Sequence, residues 1–330
     1  MGLSTIMLVP ILEVVAGLGL LLLAIQHLGS SYLNRRFPPV GAFVDVGGRR
    51  LHVLEEGGEG LPIVFVHGAS SNLLEAHHRF SGRFGRRRVI YFDRPGHGHS
   101  DRGDEPMSAP SAQAGVLAGL LDRLEVPQAI LVGHSWGGAV IAAFALAYPE
   151  RTAGLLFVAP ATHPWPGGVD LYYRLSGHRI WGRLFVSLFA MPLGWLVFRS
   201  GVRSVFAPDA LPVDYLDKSA ARLLLRANNF LANARDVLHL NENLRRQSPG
   251  YARIDAPTIV LTGDRDSVVW PSIHSEGLRA SIAGAELITL PGCGHMPHQV
   301  YPEMIVELVA RIDRAAGAMR DASASLDAAK

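Results

Sequence analysis

Short apolar runs, many of them β-branched, recur along the chain and predict a buried sheet. A hairpin comes first, over 42–58, where two alternating segments flank Gly47-Gly48. The runs that follow have no polar face, which is typical of strands covered on both sides. They are 63–67 (IVFVH), 89–92 (VIYF), 129–133 (AILVG), 155–159 (LLFVA), 258–262 (TIVLT) and 286–290 (ELITL).

Helical segments lie between several of these runs, over 108–124, 139–147 and 304–316. Strands and helices in alternation predict an α/β fold with a doubly wound, mostly parallel sheet. We place this core at 36–161 and 254–316.

The alternation is interrupted over 162–253, where the sequence is helical and rich in aromatic residues. Because this stretch is too long for a loop, we expect an inserted helical subdomain. The last residues, 317–330, are small and polar without an apolar period. We expect them to form a disordered tail.

The N-terminus is apolar over 6–28, where Glu13 is the one acidic or basic residue besides histidine. A helix of this length would measure about 34 Å and could cross a hydrocarbon layer of about 30 Å. We therefore expect residues 1–35 to form a single-pass membrane helix and its linker. A cleaved signal peptide is disfavoured because no basic residue precedes the apolar stretch, and an interfacial or core helix is the other alternative. Arg35 and Arg36 favour a cytoplasmic position for the rest of the chain.

Composition narrows the function classes. The chain has 330 residues, a formal net charge of +2 and one cysteine. The small charge, without a basic cluster, argues against nucleic acid as a partner. A single cysteine excludes an intrachain disulfide and any multi-thiolate metal or iron–sulfur site.

The stretch 93–101 (DRPGHGHSD) has two competing interpretations. His97, His99 and Asp101 have an H-x-H-x-D spacing that a metal ion could use. Such a motif would normally continue with another histidine, whereas Arg102 follows here, and no second set of ligands is recognisable. The frame D-x-x-G-x-G-x-S explains the glycines as a tight backbone path. We expect a scaffold loop and no bound metal.

The strongest chemical signal is Gly133-His134-Ser135-Trp136-Gly137. It follows an apolar strand and precedes an apolar helix, which is the context that a G-x-S-x-G nucleophile turn requires. The turn would expose the Ser135 hydroxyl at a helix N-terminus, which favours developing negative charge. The single cysteine, Cys293, has no such turn, so we expect it to be a buried or turn residue.

Four motifs together resemble the α/β-hydrolase fold family, over about residues 41–316. The resemblance implies that 162–253 forms a cap over the active site and that the catalytic residues follow the order serine, acid, histidine. The motifs are His67-Gly68-Ala69-Ser70, Asp93-x-x-Gly96-x-Gly98-x-Ser100, the turn at Ser135, and Gly294-His295.

Two assignments in the implied triad have alternatives. Asp266 is the acid by its place in G-x-x-D-x-x-V, and Asp264 is the alternative. His295 is the base, and His298 is the alternative. The resemblance thus implies Ser135, Asp266 and His295 as catalytic residues.

The resemblance also implies an oxyanion hole formed by the backbone amides of Ala69 and Trp136. His67 is then a structural histidine of that loop. No metal or organic cofactor is expected, because the serine, acid and histidine carry the chemistry.

The function implied is a serine hydrolase that cleaves a carboxylic ester through an acyl-enzyme. The aromatic insertion favours an apolar acyl or aromatic substrate, and the N-terminal helix suggests lipid-derived esters at a bilayer. C–C bond, amide or lactone hydrolysis and haloperoxidase-like chemistry are alternatives on the same triad. A slow-turnover ligand-binding protein of the same fold is a further alternative.

Overall fold

The computed structural model of the protein describes residues 3–103, 106–178 and 180–328. It contains one eight-stranded sheet with the spatial order β1-β2-β4-β3-β5-β6-β7-β8. The strands are β1 (Ala42–Val46), β2 (Arg49–Glu56), β3 (Glu59–Val66), β4 (Arg87–Phe92), β5 (Ala129–His134), β6 (Thr152–Val158), β7 (Thr258–Gly263) and β8 (Glu286–Leu290).

The sheet is parallel from β3 to β8, and β2 runs antiparallel to both of its neighbours. Every predicted strand is present, with ends that differ by a few residues. The predicted α/β class with a mostly parallel sheet is therefore confirmed.

Helices cover both faces of the sheet, as a doubly wound fold requires. Side chains of β3 alternate between two separate clusters, Ile63 and Phe65 on one face and Val64 and Val66 on the other. The α-helices are α1 (Leu3–Arg36), α2 (Leu73–Phe80), α3 (Pro110–Arg123), α4 (Trp136–Ala147), α5 (Leu171–Gly177), α6 (Gly182–Phe206), α7 (Tyr215–Lys218), α8 (Ala227–Gln247), α9 (Pro271–Ser281), α10 (Pro297–Val300) and α11 (Pro302–Ala328). Short 3-10 segments occur at Pro149–Arg151, Ala221–Leu225 and Ser248–Arg253.

Different helices pack on the two faces of the sheet. Side chains of α3, α4 and α9 pack with those of β5 and β6 on one face. Side chains of α2 and α11 pack on the other. The carboxyl ends of the parallel strands are left for loops, and we therefore expect the functional site there.

The segment between β6 and β7 contains α5, α6, α7 and α8 and no strand among its described residues. We call residues 162–253 the cap. Helix α8 returns the chain to the sheet, because its Leu240 and Leu244 belong to the core around α3 and α4. The cap is thus attached to the sheet along α8.

Helix α1 lies against the cap through its C-terminal half. The Gln26 side chain donates to the Leu225 carbonyl at 3.0 Å and accepts from the Met191 amide at 2.9 Å. Leu33 is fully buried in the same contact. From Val9 to Ile25 most side chains of α1 are exposed, for example Val14 at 70% and Leu20 at 69%. By length and composition, both Val9–Arg36 and Gly182–Phe206 could cross a membrane.

The C-terminal tail differs from the prediction. Residues 317–328 are not disordered but continue α11 as helix, while Ala329 and Lys330 lie outside the described residues. The segment is rich in alanine, which has the highest helix propensity, and Ala316 is still buried against the sheet. A helix anchored there can therefore continue without a further apolar face.

Candidate active site

Ser135 lies in a strained turn between β5 and α4. Its backbone φ is 52° and its ψ is −119°, a region that residues other than glycine rarely adopt. Glycine is required on both sides: a Cβ on Gly137 would lie 2.1 Å from the Val66 carbonyl oxygen, and one on Gly133 would lie 2.8 Å from the Gly137 oxygen. This close packing explains why the motif places glycines two residues before and after the serine.

A histidine and a carboxylate are paired in the loops that follow the last two strands, β7 and β8. His295 Nδ1 lies 2.7 Å from Asp266 Oδ2, and both side chains are buried. Asp266 Oδ1 also accepts from the amides of Val268 and Val269, each at 2.9 Å. The carboxylate is therefore held on both oxygens, and the imidazole orientation is fixed.

The alternative acid has a different role. Asp264 Oδ1 accepts from the Gly292 amide at 2.7 Å and ties the two loops together. It is a turn residue, and Asp266 is the carboxylate that contacts the histidine.

The Ser135 turn, the His295 loop and the loop after β3 meet at one place. His134 Nε2 lies 3.1 Å from the His295 carbonyl oxygen, and the two rings are 4.9 Å apart. A Cβ on Gly68 would lie 3.0 Å from Ser135 Cβ. The three loops that carry the predicted site residues are thus packed directly on each other.

The loop over 67–70 is fixed by side chains from distant parts of the chain. Arg94 donates to the carbonyls of His67 at 2.9 Å and Gly68 at 3.0 Å. Asn233 on α8 accepts from the Ser70 amide at 2.6 Å and donates to Ser70 Oγ at 3.0 Å. Ala69 and its amide lie between these two attachments.

His67 is a neutral structural residue. Its Nε2 accepts from the Arg94 amide at 3.0 Å, so the proton lies on Nδ1, which donates to the Gly68 carbonyl at 2.9 Å. Burial, aided by the charge of Arg94, holds the pKa of His67 well below its usual value. A histidine in this state supports the loop and is unsuited to take up a proton.

A family model described as the Alpha/beta hydrolase family matches residues 63–308. The chain belongs to the alpha/beta hydrolase family. The hydrolase is 32% identical over 259 residues to a 2-hydroxy-6-oxononadienedioate/2-hydroxy-6-oxononatrienedioate hydrolase of Comamonas testosteroni, covering 74% of this chain and 85% of that protein.

Two solved structures share the fold at lower identity. A membrane phospholipase A, described as a bacterial virulence factor, aligns with a TM-score of 0.66 at 24% identity, over 95% of this chain and 98% of its own. A thermophilic esterase from Thermogutta terrifontis aligns with a TM-score of 0.65 at 23% identity, over 84% of this chain and 99% of its own.

Two competing residues of the hydrolase have other partners. His298, the alternative base, has Nε2 2.8 Å from Glu75 Oε1 in a buried pair on the α2 side. Cys293 is buried, and burial together with Asp209 raises the pKa of its thiol to about 12. A thiol with that pKa is protonated and unreactive at neutral pH.

The H-x-H-x-D side chains do not converge. His97 Nε2 accepts from Arg94 at 3.3 Å, and His99 Nε2 contacts the Phe37 carbonyl at 2.9 Å. Asp101 accepts from Arg50 at the surface, at 3.2 Å. Within the described ranges, no cluster of three or more potential ligands is placed for a metal.

Sequence reasoning missed the residues that support the loop over 67–70. Arg94 and Asp236 form a fully buried ion pair at 3.0 Å across 142 positions of sequence. Asn233 is 163 positions from Ser70. The one local signal was a cluster of polar residues on an otherwise core-facing helix, at Asn229, Asn233 and Asp236.

Proposed function

We propose that this alpha/beta hydrolase is a serine hydrolase that cleaves carboxylic esters with an apolar acyl group. The observation that carries the proposal is the buried Asp266–His295 pair, packed against the strained turn of Ser135. These are the three groups that activated-serine chemistry needs.

The proposed mechanism assigns one role to each group. His295 Nε2 accepts the Ser135 proton as Oγ attacks the acyl carbon, and Asp266 stabilises the imidazolium that forms. The amides of Ala69 and Trp136 donate to the negative oxygen of the tetrahedral intermediate. The imidazolium then protonates the leaving alcohol, and water repeats the sequence on the acyl-enzyme and releases the acid.

Arg94, which lies against Trp136, is not available to bind the carboxylates of an anionic dienoate, and this supports ester cleavage. A dicarboxylate substrate needs cationic partners, but the buried guanidinium of Arg94 is already engaged by Asp236, Gln113 and two backbone carbonyls. The C–C bond hydrolase alternative keeps support from the name of the Comamonas relative. Turnover of an ester and a dienoate panel separates the two.

The same proposal includes a membrane as partner. Helix α1 presents exposed apolar side chains, and the cap helix α6 beside it exposes Leu193 at 52% and Leu196 at 79%. Tyr32 and Trp195 touch edge to face between the two helices, with ring centroids 6.2 Å apart. Exposed apolar side chains on two adjacent helices are typical of a membrane-contacting surface. Lipid-derived esters at a bilayer are therefore the proposed substrates, with the catalytic body on the cytoplasmic side.

A fluorophosphonate probe tests the nucleophile. We expect the wild-type protein to be labelled and to hydrolyse p-nitrophenyl esters, and Ser135→Ala to lose both properties. Ser176→Ala is the matched control, because Ser176 is a fully buried serine of the cap. Labelling that persists in Ser135→Ala, or a wild type that binds esters without turnover, contradicts the proposal.

Deleting residues 2–18 tests the membrane role. This truncation removes exposed apolar residues but keeps the contacts of Gln26 and Leu33 with the cap. We expect unchanged activity on a soluble short-chain ester and reduced activity on a long-chain ester presented in vesicles. An unchanged ratio of the two activities would contradict membrane-directed function.

A further inference from the structure

The loop over 67–70 contains a peptide unit whose orientation decides whether the oxyanion hole exists. The Gly68 carbonyl and the Ala69 amide belong to one planar trans peptide, so they point in opposite directions. Fixing the Gly68 oxygen therefore fixes the direction of the Ala69 N–H. Arg94 Nη2 donates to that oxygen at 3.0 Å, and Arg94 Nε donates to the His67 oxygen at 2.9 Å.

Arg94 itself is held by the cap. Its Nη1 donates to Asp236 Oδ2 on α8 at 3.0 Å, and neither side chain is exposed. Because a buried guanidinium is stable only when its charge and donors are satisfied, Asp236 determines where Arg94 can lie. The position of α8 is thereby transmitted to the Gly68–Ala69 peptide.

The second oxyanion donor has the same support. The guanidinium of Arg94 lies 4.2 Å from the ring of Trp136. The Trp136 indole N–H donates to the backbone carbonyl of Asp236 at 3.2 Å. Asp236 of α8 thus contacts both Arg94, which fixes the Gly68–Ala69 peptide, and the side chain of Trp136.

A third attachment lies on the other side of Ala69. Ser70 has a φ of 59°, which is unfavourable for a residue with a side chain and needs external support. Asn233, one turn before Asp236 on α8, bonds both the amide and the hydroxyl of Ser70. Ala69 is therefore held between two attachments from the same cap helix.

We propose that Asn233 and Asp236, the latter through Arg94, are positioning residues with which the cap helix α8 sets the oxyanion hole. This inference rests on the proposed serine hydrolase function. It makes the cap a part of the catalytic apparatus, because displacement of α8 turns the Ala69 amide away from the reacting oxygen.

The decisive variant is Asn233→Ala, with Asn229→Ala as its matched control. Asn229 is a buried asparagine one turn earlier on α8 that donates to the Gly98 carbonyl at 2.9 Å, on the scaffold loop. We expect Asn233→Ala to lower kcat for an ester about 10- to 100-fold, less than complete loss of an oxyanion donor, with KM changed by less than about threefold. Asn229→Ala should stay within about threefold of the wild type in both.

A second pair of variants tests the role of Arg94. Arg94→Lys cannot reach two carbonyls and a carboxylate together, whereas Arg102→Lys alters a residue that pairs with Asp236 at 2.6 Å without contacting the loop. We expect a loss of kcat in Arg94→Lys comparable to that in Asn233→Ala, and a change of less than about threefold in Arg102→Lys.

Inhibitor binding distinguishes a misplaced oxyanion hole from general damage to the binding site. A trifluoromethyl ketone adds to serine and forms an oxyanion, whereas the corresponding alcohol cannot. We expect Asn233→Ala to weaken the ketone by the same factor as kcat and to leave binding of the alcohol unchanged. If Asn233→Ala matches Asn229→Ala in kcat and ketone affinity, the positioning role is wrong while the hydrolase function stands. If the wild type neither turns over esters nor binds the ketone, both are wrong.

Discussion

Two buried histidine–carboxylate pairs in this hydrolase have nearly the same geometry. His52 Nδ1 lies 2.7 Å from Asp93 Oδ2, the same distance as between His295 Nδ1 and Asp266 Oδ2. Each carboxylate also accepts from two backbone amides, those of Leu73 and His99 for Asp93 and those of Val268 and Val269 for Asp266.

The pairs differ at the second ring nitrogen. His52 Nε2 is engaged by the backbone of Val40, whose amide lies 3.0 Å away. His295 Nε2 forms no hydrogen bond with any other described residue, and the ring lies beside the Ser135 turn. A carboxylate-oriented histidine is therefore a structural brace where both nitrogens are occupied, and a candidate base where one is left for the reaction.

The largest expected effect is on kcat, which should distinguish the His295–Asp266 pair from the His52–Asp93 pair. We expect His295→Gln to lower kcat by about 10⁴-fold or more, because the proposed proton acceptor for Ser135 is lost. His52→Gln should retain turnover near that of the wild type per folded molecule. Both variants leave a buried carboxylate with two amide donors, so we expect a similar loss of about 3 kcal/mol in the free energy of unfolding. Ester turnover per folded molecule and urea denaturation measure the two quantities, and equal activity in both variants would refute the distinction.

A third histidine sharpens the comparison because it pairs with amides instead of a carboxylate. His274 Nδ1 accepts from the amides of Thr162 and His163, each at 3.1 Å, where the cap begins. Burial, aided by His163, lowers the pKa of His274 to about 4. Only the neutral ring can accept these bonds.

The pH dependence of stability follows from that lowered pKa. The His274 imidazole takes up a proton near pH 6.5 in the unfolded chain and near pH 4 in the folded protein. The stabilisation that the neutral ring provides is therefore fully present above about pH 6.5 and is lost as the pH falls towards 4. His274→Asn offers an acceptor oxygen that does not titrate. We expect the variant to lose about 3 kcal/mol less unfolding free energy than the wild type between pH 7 and pH 4. Parallel profiles of unfolding free energy against pH for the two proteins would show that His274 contributes nothing to the pH dependence of stability.

The strands are well predicted because a short, continuous apolar run, which is typical of a strand buried on both faces, can be recognised locally. The six apolar runs are strands of the structure, and the serine turn is recognisable from glycines that the close packing at Val66 requires. Helix α2 and helix α9 are not predicted, because α2 is only eight residues long and two of the three buried residues of α9, His274 and Ser275, are polar. The alanine-rich end of α11 has no apolar period that would predict a helix.

What the sequence could not indicate are contacts between distant polar residues. Hydrophobic period shows which face of a helix is buried, but not that Asp236 would meet Arg94 or that Gln26 of α1 would meet Met191 of α6. Such pairs depend on the relative placement of the cap, the sheet and the N-terminal helix. Hydrophobic period likewise does not separate His52 from His295; only the Gly294-His295 motif and the family resemblance single out His295.

The smallest expected effect concerns Cys293, which lies two residues before His295 in the same loop. Its thiol is buried and, with a pKa raised to about 12, almost wholly protonated at neutral pH. Thiolate, not thiol, reacts with alkylating agents. We therefore expect the folded enzyme to resist iodoacetamide at pH 7.5 and Cys293→Ala to change kcat by less than about twofold. Ser135→Ala is the reference for full loss of activity, and rapid inactivation by iodoacetamide that Cys293→Ala prevents would place a reactive thiol in the site beside the histidine.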